Sequence, residues 1–303
     1  MRDNSSMTWN FAKMHGAGND FIVLDGVRQA IELTPERARA LANRHLGIGA
    51  DQLLLVDTPA HPEADFRYRI FNADGGEVEH CGNGARCFMQ FVHEQGLSRR
   101  NPLHAEICTG LITLTRLDSG EISVDMGSSQ FGPEAVAFNT QDLLSTPCGA
   151  DTLWSLPLPG HEQAQLSLLA ISNPHAVQVV PDVHTATVTL TGPLIESHPR
   201  FANRVNAGFM QVIDRNTIKL RVYERGAGET LACGTGACAA AIAGIRRGLL
   251  DSPVRVLTRG GALTVAYDNG TTLMSGPAIT VFTGEVDIDA LTSQFNTKDS
   301  SPP

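Results

Sequence analysis

The sequence predicts an α/β protein built from two similarly folded halves. Two related motifs, Cys81-Gly-Asn-Gly and Cys233-Gly-Thr-Gly, each stand at the start of a predicted helix. Each motif also follows a segment with the alternating pattern of a strand, 66–71 in the first half and 219–223 in the second. Because motif, spacing and flanking pattern agree, they indicate an internal repeat of strand, turn and helix.

Most of the chain has the pattern of β-strands. Short runs rich in Val, Ile, Leu, Phe and Tyr are separated by clusters of Gly, Pro, Asn and Asp, which is typical of strands joined by turns. The predicted strands are 21–24, 53–56, 66–71, 107–114, 121–125, 166–171, 177–180, 209–213, 218–223, 254–257, 262–267 and 279–282.

Helices are few. The first is predicted over 34–44, with Thr34 at its start and Pro35 at the first helical position. The second and third are predicted over 84–95 and 236–247, and a glycine follows each of them. The third helix is rich in alanine, and a slim apolar helix is suited to burial against a curved sheet.

The composition excludes several classes of protein. The chain has 303 residues, which is long for a single hydrophobic core and enough for two domains with a core each. A net charge of −9 makes the chain a poor candidate for binding nucleic acid through its phosphates. The sequence has no long apolar run that predicts a membrane span, and residues 1–10 do not resemble a signal peptide. We therefore expect a cytoplasmic protein whose six cysteines are thiols.

The two motif cysteines have the chemistry that proton transfer at carbon needs. A thiol at the positive end of a helix has a lowered pKa, so Cys81 and Cys233 are expected to titrate near neutrality. Such a pair can act as acid and base on opposite faces of one stereocentre, if the two halves face each other across a cleft. The open amides of the glycine-rich turns suit a substrate carboxylate. No Schiff-base lysine motif is evident, so no cofactor is expected.

Seven motifs, in order, resemble those of the diaminopimelate epimerase family over about residues 9–288. They are Phe11-Ala-Lys-Met-His-Gly-Ala-Gly-Asn-Asp-Phe21, Arg44-His-Leu-Gly-Ile-Gly-Ala-Asp-Gln52, Phe71-Asn-Ala-Asp-Gly75, Cys81-Gly-Asn-Gly-Ala-Arg-Cys87, Ser172-Asn-Pro-His175, Arg204-Val-Asn-Ala-Gly-Phe209 and the segment from Tyr223 to Cys238.

The resemblance implies an isomerase that converts LL-2,6-diaminopimelate into the meso form, in lysine and peptidoglycan precursor synthesis. It implies that Cys81 and Cys233 are catalytic and that His175 and Glu224 tune their pKa values. The implied substrate-binding residues are Asn19, Gln52, Asn72, Gly82, Asn83, Asn173, Asn206, Glu224, Arg225, Gly234 and Thr235. Neither a metal nor a cofactor is implied, and Arg225 is suited to clamp the distal carboxylate.

The resemblance also implies the architecture. Each domain is a mixed sheet, or barrel, wrapped around a central helix, and the active site lies in the interdomain cleft. The implied N-terminal domain comprises 9–126 plus 277–288, and the C-terminal domain comprises 127–276. The composition of 1–8 and 292–303 separately predicts flexible ends. The implied partner is a small-molecule substrate, and the chain is expected to form a homodimer.

Other interpretations remain open at this point. The nearest is a two-cysteine proline racemase or hydroxyproline epimerase, whereas the related phenazine-biosynthesis isomerases lack the cysteine pair. From other classes come a thiol redox or binding protein, a cysteine hydrolase and a zinc protein. The hydrolase leaves the second motif unexplained, and the cysteine spacing does not match common zinc knuckles.

The sequence departs from the family pattern at a few positions. His80, just before the first motif cysteine, stands where glutamine is frequent and is expected to influence the pKa of Cys81. Thr235 stands where serine is also common, and the chain carries extra residues at both ends.

Overall fold

A computed structural model describes residues 7–78 and 81–296. The chain divides into two compact units. Unit 1 contains the described residues up to Val124 and those from Pro277 onward, and unit 2 extends from Asp125 to Gly276.

The described residues form strands, a few helices and one short 3-10 helix at Pro133–Val136. The strands are β1 (Thr8–Gly16), β2 (Asn19–Asp25), β3 (Gln52–Asp57), β4 (Phe66–Asn72), β5 (Glu77–Val78), β6 (Leu103–Ile107), β7 (Gly110–Arg116), β8 (Ile122–Ser128), β9 (Gln130–Phe131), β10 (Ser145–Cys148), β11 (Asp151–Leu156), β12 (Ala164–Ile171), β13 (Asn173–Val179), β14 (Asn206–Asp214), β15 (Thr217–Glu224), β16 (Gly228–Glu229), β17 (Val254–Thr258), β18 (Gly261–Asp268), β19 (Thr271–Gly276) and β20 (Ile279–Asp287). The α-helices are α1 (Pro35–Ala42), α2 (Gly82–Glu94), α3 (Val188–Glu196), α4 (Gly234–Arg246) and α5 (Ile288–Asn296).

Unit 1 is a mixed sheet around one helix. The strand order is β20-β1-β2-β3-β4-β6-β7-β8, with β2–β3 and β4–β6 parallel and the other neighbours antiparallel. Helix α2 contacts six of these strands, β1, β2, β3, β4, β7 and β20, so it is the central helix of the unit. On the opposite face, the side chains of Ile22, Leu24 and Leu53 pack with Leu41 of α1 and Ile288 of α5.

Unit 2 repeats this arrangement. From β12 to β19 its strands pair in the order β12-β13-β14-β15-β17-β18-β19. The succession of antiparallel and parallel neighbours is the same as from β1 to β8, and short β16 corresponds to β5. Helix α4 contacts β12, β13, β14, β15, β17, β18 and β19, and so occupies the position that α2 has in unit 1. The predicted internal repeat is therefore a repeat of fold.

The glycine-rich turns begin the two central helices earlier than the sequence predicts. The predicted starts were 84 and 236, whereas α2 begins at Gly82 and α4 at Gly234. Glycine destabilises a helix interior, but its cost is smaller in the first turn, where the amides have no intrahelical acceptor. The first amides after each motif cysteine therefore belong to a helix N-terminus rather than to a loop.

Two further differences concern local structure. The segment 107–114 is a hairpin and not one strand, because Cys108 and Thr109 form the turn between β6 and β7. Helix α3 was not predicted. Four of its nine residues are β-branched, and it also contains Gly192 and Pro193, so its helical propensity is low and its packing on β14, β15 and β16 stabilises it.

Thr8 and residues 292–296 are ordered, although they belong to the segments 1–8 and 292–303 that were predicted to be flexible. Thr8 begins β1 and pairs with Asp287, and residues 292–296 belong to α5. The fully buried Ile288 joins α5 to the core of unit 1, which explains the added order. The predicted flexibility of 1–6 and 297–303 lies outside the described residues. In the part of the chain that the structure describes, no helix has the length and apolar character of a membrane span.

Candidate active site

The predicted site residues occupy equivalent positions in the two repeats. Asn19 and Asn173 begin β2 and β13, and Gln52 and Asn206 begin β3 and β14. Asn72 and Glu224 end β4 and β15, and Cys81 and Cys233 directly precede α2 and α4. The fold thus places four pairs of polar or thiol side chains at matching strand and helix ends.

Cys81 caps helix α2 in an extended backbone conformation, with φ −141° and ψ 113°. Its carbonyl accepts hydrogen bonds from the Ala85 amide at 2.8 Å and from the Tyr68 hydroxyl at 3.1 Å. The thiol is half-buried and donates to Oδ1 of Asn19, with 3.7 Å between the sulfur and the oxygen. The structure therefore brings Cys81 and Asn19 together, although they are distant in sequence.

The polar side chains at the ends of β2, β3 and β4 are oriented by one another. The Asn19 amide donates to Oδ2 of Asp51 at 3.1 Å, and the Gln52 amide donates to Oδ1 of Asn72 at 2.9 Å. Asp51 also pairs with Arg44 at 2.7 Å, so the carboxylate is fixed on both sides. These bonds orient the amides of Asn19 and Gln52, and Asn19 lies beside Cys81 at the start of α2.

A close approach explains the second glycine of the first motif. A Cβ at Gly84 would lie 2.4 Å from the Tyr68 hydroxyl, which is far inside van der Waals contact. Tyr68 is buried, and burial raises its pKa well above the usual value. Only glycine lets the tyrosine reach the Cys81 carbonyl beneath the helix start.

Asn83 is held from inside the helix by a buried arginine. Arg86 has no exposed surface, and it donates to Oδ1 of Asn83 at 2.9 Å. The same guanidinium donates to the carbonyl of Pro277 at 3.2 Å and to that of Gly82 at 3.4 Å. It therefore fixes the side chain of Asn83 and the backbone of Gly82, both predicted site residues.

Cys233 is more enclosed than Cys81, with 5% of its surface exposed. It caps α4 with φ −115° and ψ 114°, and its sulfur accepts a hydrogen bond from the Gly236 amide at 3.4 Å. The Thr235 hydroxyl lies 3.5 Å from the same sulfur. A Cβ at Gly236 would lie 3.2 Å from this sulfur, so glycine gives the thiol room above the helix start.

The prediction of a lowered pKa is wrong for Cys233. Burial raises the pKa of this thiol well above its usual value, and the negative charge of Glu224 raises it further. The bonds from Thr235 and the Gly236 amide act in the opposite direction, but they do not outweigh these causes. In this structure Cys233 is therefore a protonated thiol, suited to donate a proton.

Glu224 and Asn72 differ in charge although they occupy matching positions. Glu224 accepts a hydrogen bond from the Thr230 hydroxyl, which fixes the carboxylate near Cys233. Asn72, at the matching position in unit 1, carries a neutral amide and no net charge. The two repeats therefore share a fold but give their strand ends different electrostatics.

Asn206, Arg225 and Asn173 lie together in unit 2. The buried Asn206 donates to the carbonyl of Pro174 at 2.9 Å and accepts from the Arg225 amide at 2.9 Å. Nε2 of His175 is 2.7 Å from Oδ1 of Asn173, and the amide oxygen requires the proton to be on Nε2. Hydrogen bonds therefore connect the turns that carry Asn206 and Arg225 with the start of β13.

His175 is buried and uncharged. Burial lowers its pKa from 6.5 to about 3, and the positive charge of Arg225 acts in the same direction. Its position two residues into β13 matches that of the apolar Phe21 in β2. His175 thus acts as a neutral donor to Asn173, and its predicted tuning of a thiol pKa cannot come from a positive charge.

Several residues that orient the site were missed by the sequence analysis. Asp51, Arg86 and Glu196 carry no distinctive spacing. Asp51 and Arg86 were inside quoted motifs, which was the available signal, whereas Glu196 was outside them. The predicted influence of His80 lies outside the described residues. Among residues 7–78 and 81–296, no cluster of three or more His, Cys, Asp or Glu suits a metal, and no disulfide joins the six cysteines.

Comparison with known proteins identifies the family. The family model described as diaminopimelate epimerase matches residues 11–132 and 168–285. The chain belongs to the diaminopimelate epimerase family. It is 60% identical over 287 residues to a diaminopimelate epimerase of Cupriavidus taiwanensis, which spans 94% of this chain and 99% of the relative. It is 59% identical over 286 residues to one of Paraburkholderia xenovorans, which spans 93% and 99%.

Solved structures share the fold of this diaminopimelate epimerase family member. A hydroxyproline epimerase from Agrobacterium vitis matches with a TM-score of 0.64 at 15% identity, covering 94% of each chain. A Bacillus anthracis protein of the phenazine biosynthesis PhzF family matches with a TM-score of 0.64 at 16% identity, covering 92% of this chain and 99% of its own. These likenesses confirm the predicted fold class of two pseudo-symmetric α/β domains.

Proposed function

We propose that this protein epimerises LL-2,6-diaminopimelate to the meso isomer with Cys81 and Cys233 as its acid–base pair. The observation that carries the proposal is the repeat of an extended cysteine cap on each central helix, in a chain that belongs to this family. A symmetric pair of thiols suits a reaction that must run in both directions at a carbon centre.

In the proposed reaction one thiolate removes the α-proton, and the other thiol delivers a proton to the opposite face. The substrate carbon is inverted, and each sulfur has exchanged its protonation state. The protonated state of Cys233 fits the role of proton donor in one direction, with Cys81 as the base once its thiol has lost its proton. The return reaction exchanges these roles.

The helix starts would stabilise the carbanion. First-turn amides have no intrahelical acceptor, so those of Gly82, Asn83, Gly234 and Thr235 are available to the reacting carboxylate. The strand-end residues Asn19, Gln52, Asn72 and Asn173 would bind the polar groups of the substrate. Arg225 is exposed, and its guanidinium suits the distal carboxylate.

The experiment is epimerisation of LL-diaminopimelate by the purified chain without added cofactor, followed by NMR of the α-carbon in D₂O. We expect the meso isomer to form and deuterium to enter the α-position. Cys81→Ala and Cys233→Ala should each abolish epimerisation. The matched controls Cys108→Ser and Cys148→Ser change cysteines outside the helix starts and should retain activity.

Two results would contradict the proposal. Exchange of proline but not of diaminopimelate would indicate a proline racemase type of activity. Full activity of a verified Cys81–Cys233 disulfide form would exclude both thiols from the chemistry. Homodimer formation and a cytoplasmic location stay predictions, which scattering and cell fractionation can test.

A further inference from the structure

A buried carboxylate that the proposed mechanism does not use lies close to the substrate-binding turns of unit 2. Glu196 is the last residue of α3 and has 2% of its surface exposed. Helix α3 reaches this place because Gly192 lies directly on β15, where a Cβ would be 2.7 Å from Cβ of Tyr223. The helix end is thereby held beside the turn that follows β15.

Glu196 accepts three hydrogen bonds from two different loops. Its Oε1 accepts from the Gly226 amide at 3.0 Å, and its Oε2 accepts from the Arg204 guanidinium at 2.7 Å. Its backbone carbonyl accepts from the Val205 amide at 3.0 Å. The residue thus links the loop before β14 to the turn after β15.

Both of these loops carry proposed substrate-binding residues. Asn206 follows Arg204 by two positions, and Arg225 directly precedes Gly226. Oδ1 of Asn206 accepts from the Arg225 amide at 2.9 Å, and the Arg225 guanidinium donates to the carbonyl of Asn203 at 3.2 Å. Glu196, Asn206 and Arg225 therefore belong to one hydrogen-bonded network.

The position of the Glu196 carboxylate at the end of α3 does not stabilise this helix. A negative charge at a helix C-terminus faces the negative end of the helix dipole, and burial adds a desolvation cost. Arg204, its ion-pair partner, has a left-handed backbone with φ 58°, which is costly for a residue with a side chain. Such departures from local preference concentrate at functional sites, where the surroundings hold them in place.

We propose that Glu196 is a positioning residue that holds Arg225 and Asn206 in the arrangement that binds the unreacting end of the substrate. This inference rests on the proposed function. It assigns to Glu196 an effect on substrate binding and not on proton transfer, because its contacts lead to Arg225 and Asn206 and none leads to a sulfur.

The experiment compares KM and kcat for LL-diaminopimelate in the full-length chain and in variants of Glu196. For Glu196→Ala we expect KM to rise about tenfold, the effect of losing a charged hydrogen bond, with kcat within about threefold. Glu196→Gln should have a smaller effect on KM, since the amide oxygen can still accept from Gly226. In an Arg225→Ala background, Glu196→Ala should raise KM by less than it does in the wild type, because only the effect through Asn206 remains.

Arg204→Met provides a second route if Glu196→Ala does not fold. Arg204→Met removes the ion pair at Oε2 but keeps the hydrogen bond from the Gly226 amide to Oε1, so it should raise KM by less than Glu196→Ala. The matched control is Asp251→Asn, which removes an exposed carboxylate paired with Arg215 and should leave KM unchanged.

Three outcomes would overturn the inference. They are an unchanged KM in the folded Glu196 variants or in Arg204→Met, effects of Glu196→Ala and Arg225→Ala that multiply, and a loss confined to kcat. If the wild-type chain itself fails to epimerise diaminopimelate, the proposed function fails and this inference with it. A wild type that is active, with variants that equal it, contradicts this inference alone.

Discussion

The thiol of Cys81 donates to Oδ1 of Asn19 across 3.7 Å, and Asp51 fixes the other end of the same amide at 3.1 Å. A carboxylate accepts hydrogen bonds only, so the Asn19 amide must direct its NH₂ toward Asp51 and its oxygen toward the sulfur. Cys233 has a different partner, because its sulfur accepts from the Gly236 amide. The two cysteine caps thus have the same extended backbone conformation but different side-chain partners.

The first prediction concerns the orientation of Asn19. Asp51→Ala removes the acceptor that fixes the amide, which can then rotate away from Cys81. We expect kcat/KM for diaminopimelate to fall about tenfold, the effect of one charged hydrogen bond. Steady-state kinetics measure the loss. Asp57→Ala is the control, since this carboxylate also pairs with an arginine, Arg69, at 3.7 Å. Equal kinetics for wild type and Asp51→Ala would show that Asp51 does not orient the amide.

The second prediction concerns the pKa of Cys233. Glu224 raises this pKa through its negative charge, so Glu224→Gln should lower it and increase the thiolate fraction at pH 8. A fall of one pKa unit increases alkylation by iodoacetamide roughly tenfold at a pH below the pKa. Mass spectrometry of the peptide that contains Cys233 gives the rate. Asp251→Asn should not change it, and slower alkylation in Glu224→Gln would contradict the assigned charge effect.

The third prediction concerns acid stability. In the unfolded chain His175 takes up a proton near pH 6.5, whereas burial holds its pKa at about 3 in the folded protein. The unfolded state therefore binds more protons between these values, and the free energy of unfolding falls as the pH falls through this window.

Replacement of His175 by Phe, the residue at the matching position 21, removes this titration. The difference in unfolding free energy between wild type and His175→Phe should shift in favour of the variant as the pH falls from 7 toward 4, and urea unfolding at several pH values measures it. His184→Phe changes an exposed histidine and is the control. A difference that is constant with pH would show that His175 titrates normally.

The fourth prediction concerns the space at the helix starts. Gly84→Ala places a Cβ 2.4 Å from the Tyr68 hydroxyl and should reduce the free energy of unfolding by about 1–3 kcal/mol. Tyr68→Phe removes the clashing oxygen. Gly84→Ala should therefore cost less unfolding free energy in the Tyr68→Phe background than in the wild type. Gly96→Ala, at an open position with a left-handed φ of 64°, reports the cost of backbone strain without a clash. Additive losses in Gly84→Ala and Tyr68→Phe would contradict the close approach.

Much of the fold could be predicted from the sequence because the same glycine-rich turn motif occurs in both halves of the chain. The Cys-Gly-x-Gly motifs predict both central helices, and alternating apolar residues predict the strands before them. Helix α3 could not be predicted, since its stability comes from contacts with β14, β15 and β16 and not from its own residues. The hairpin at Cys108 was missed because the apolar pattern continues across the turn.

The fold places the predicted site residues at matching strand and helix ends, but the electrostatics at these positions were predicted only in part. A cysteine before a helix indicates a lowered thiol pKa when the thiol is in water. The enclosure of Cys233 and the nearby carboxylate of Glu224 depend on tertiary packing, and they reverse the direction. Glu196 could not be found for the same reason, because its partners Arg204 and Gly226 are brought together only by the fold.

The most direct test follows the origin of the transferred proton during the first turnovers in D₂O. If two separate thiols act on opposite faces of one carbon, newly formed meso-diaminopimelate carries deuterium at the inverted carbon, while the remaining LL substrate is still protiated. Deuterium that enters the remaining substrate and the product at equal initial rates would mean that a single group serves both faces, and the two-cysteine account would then be wrong.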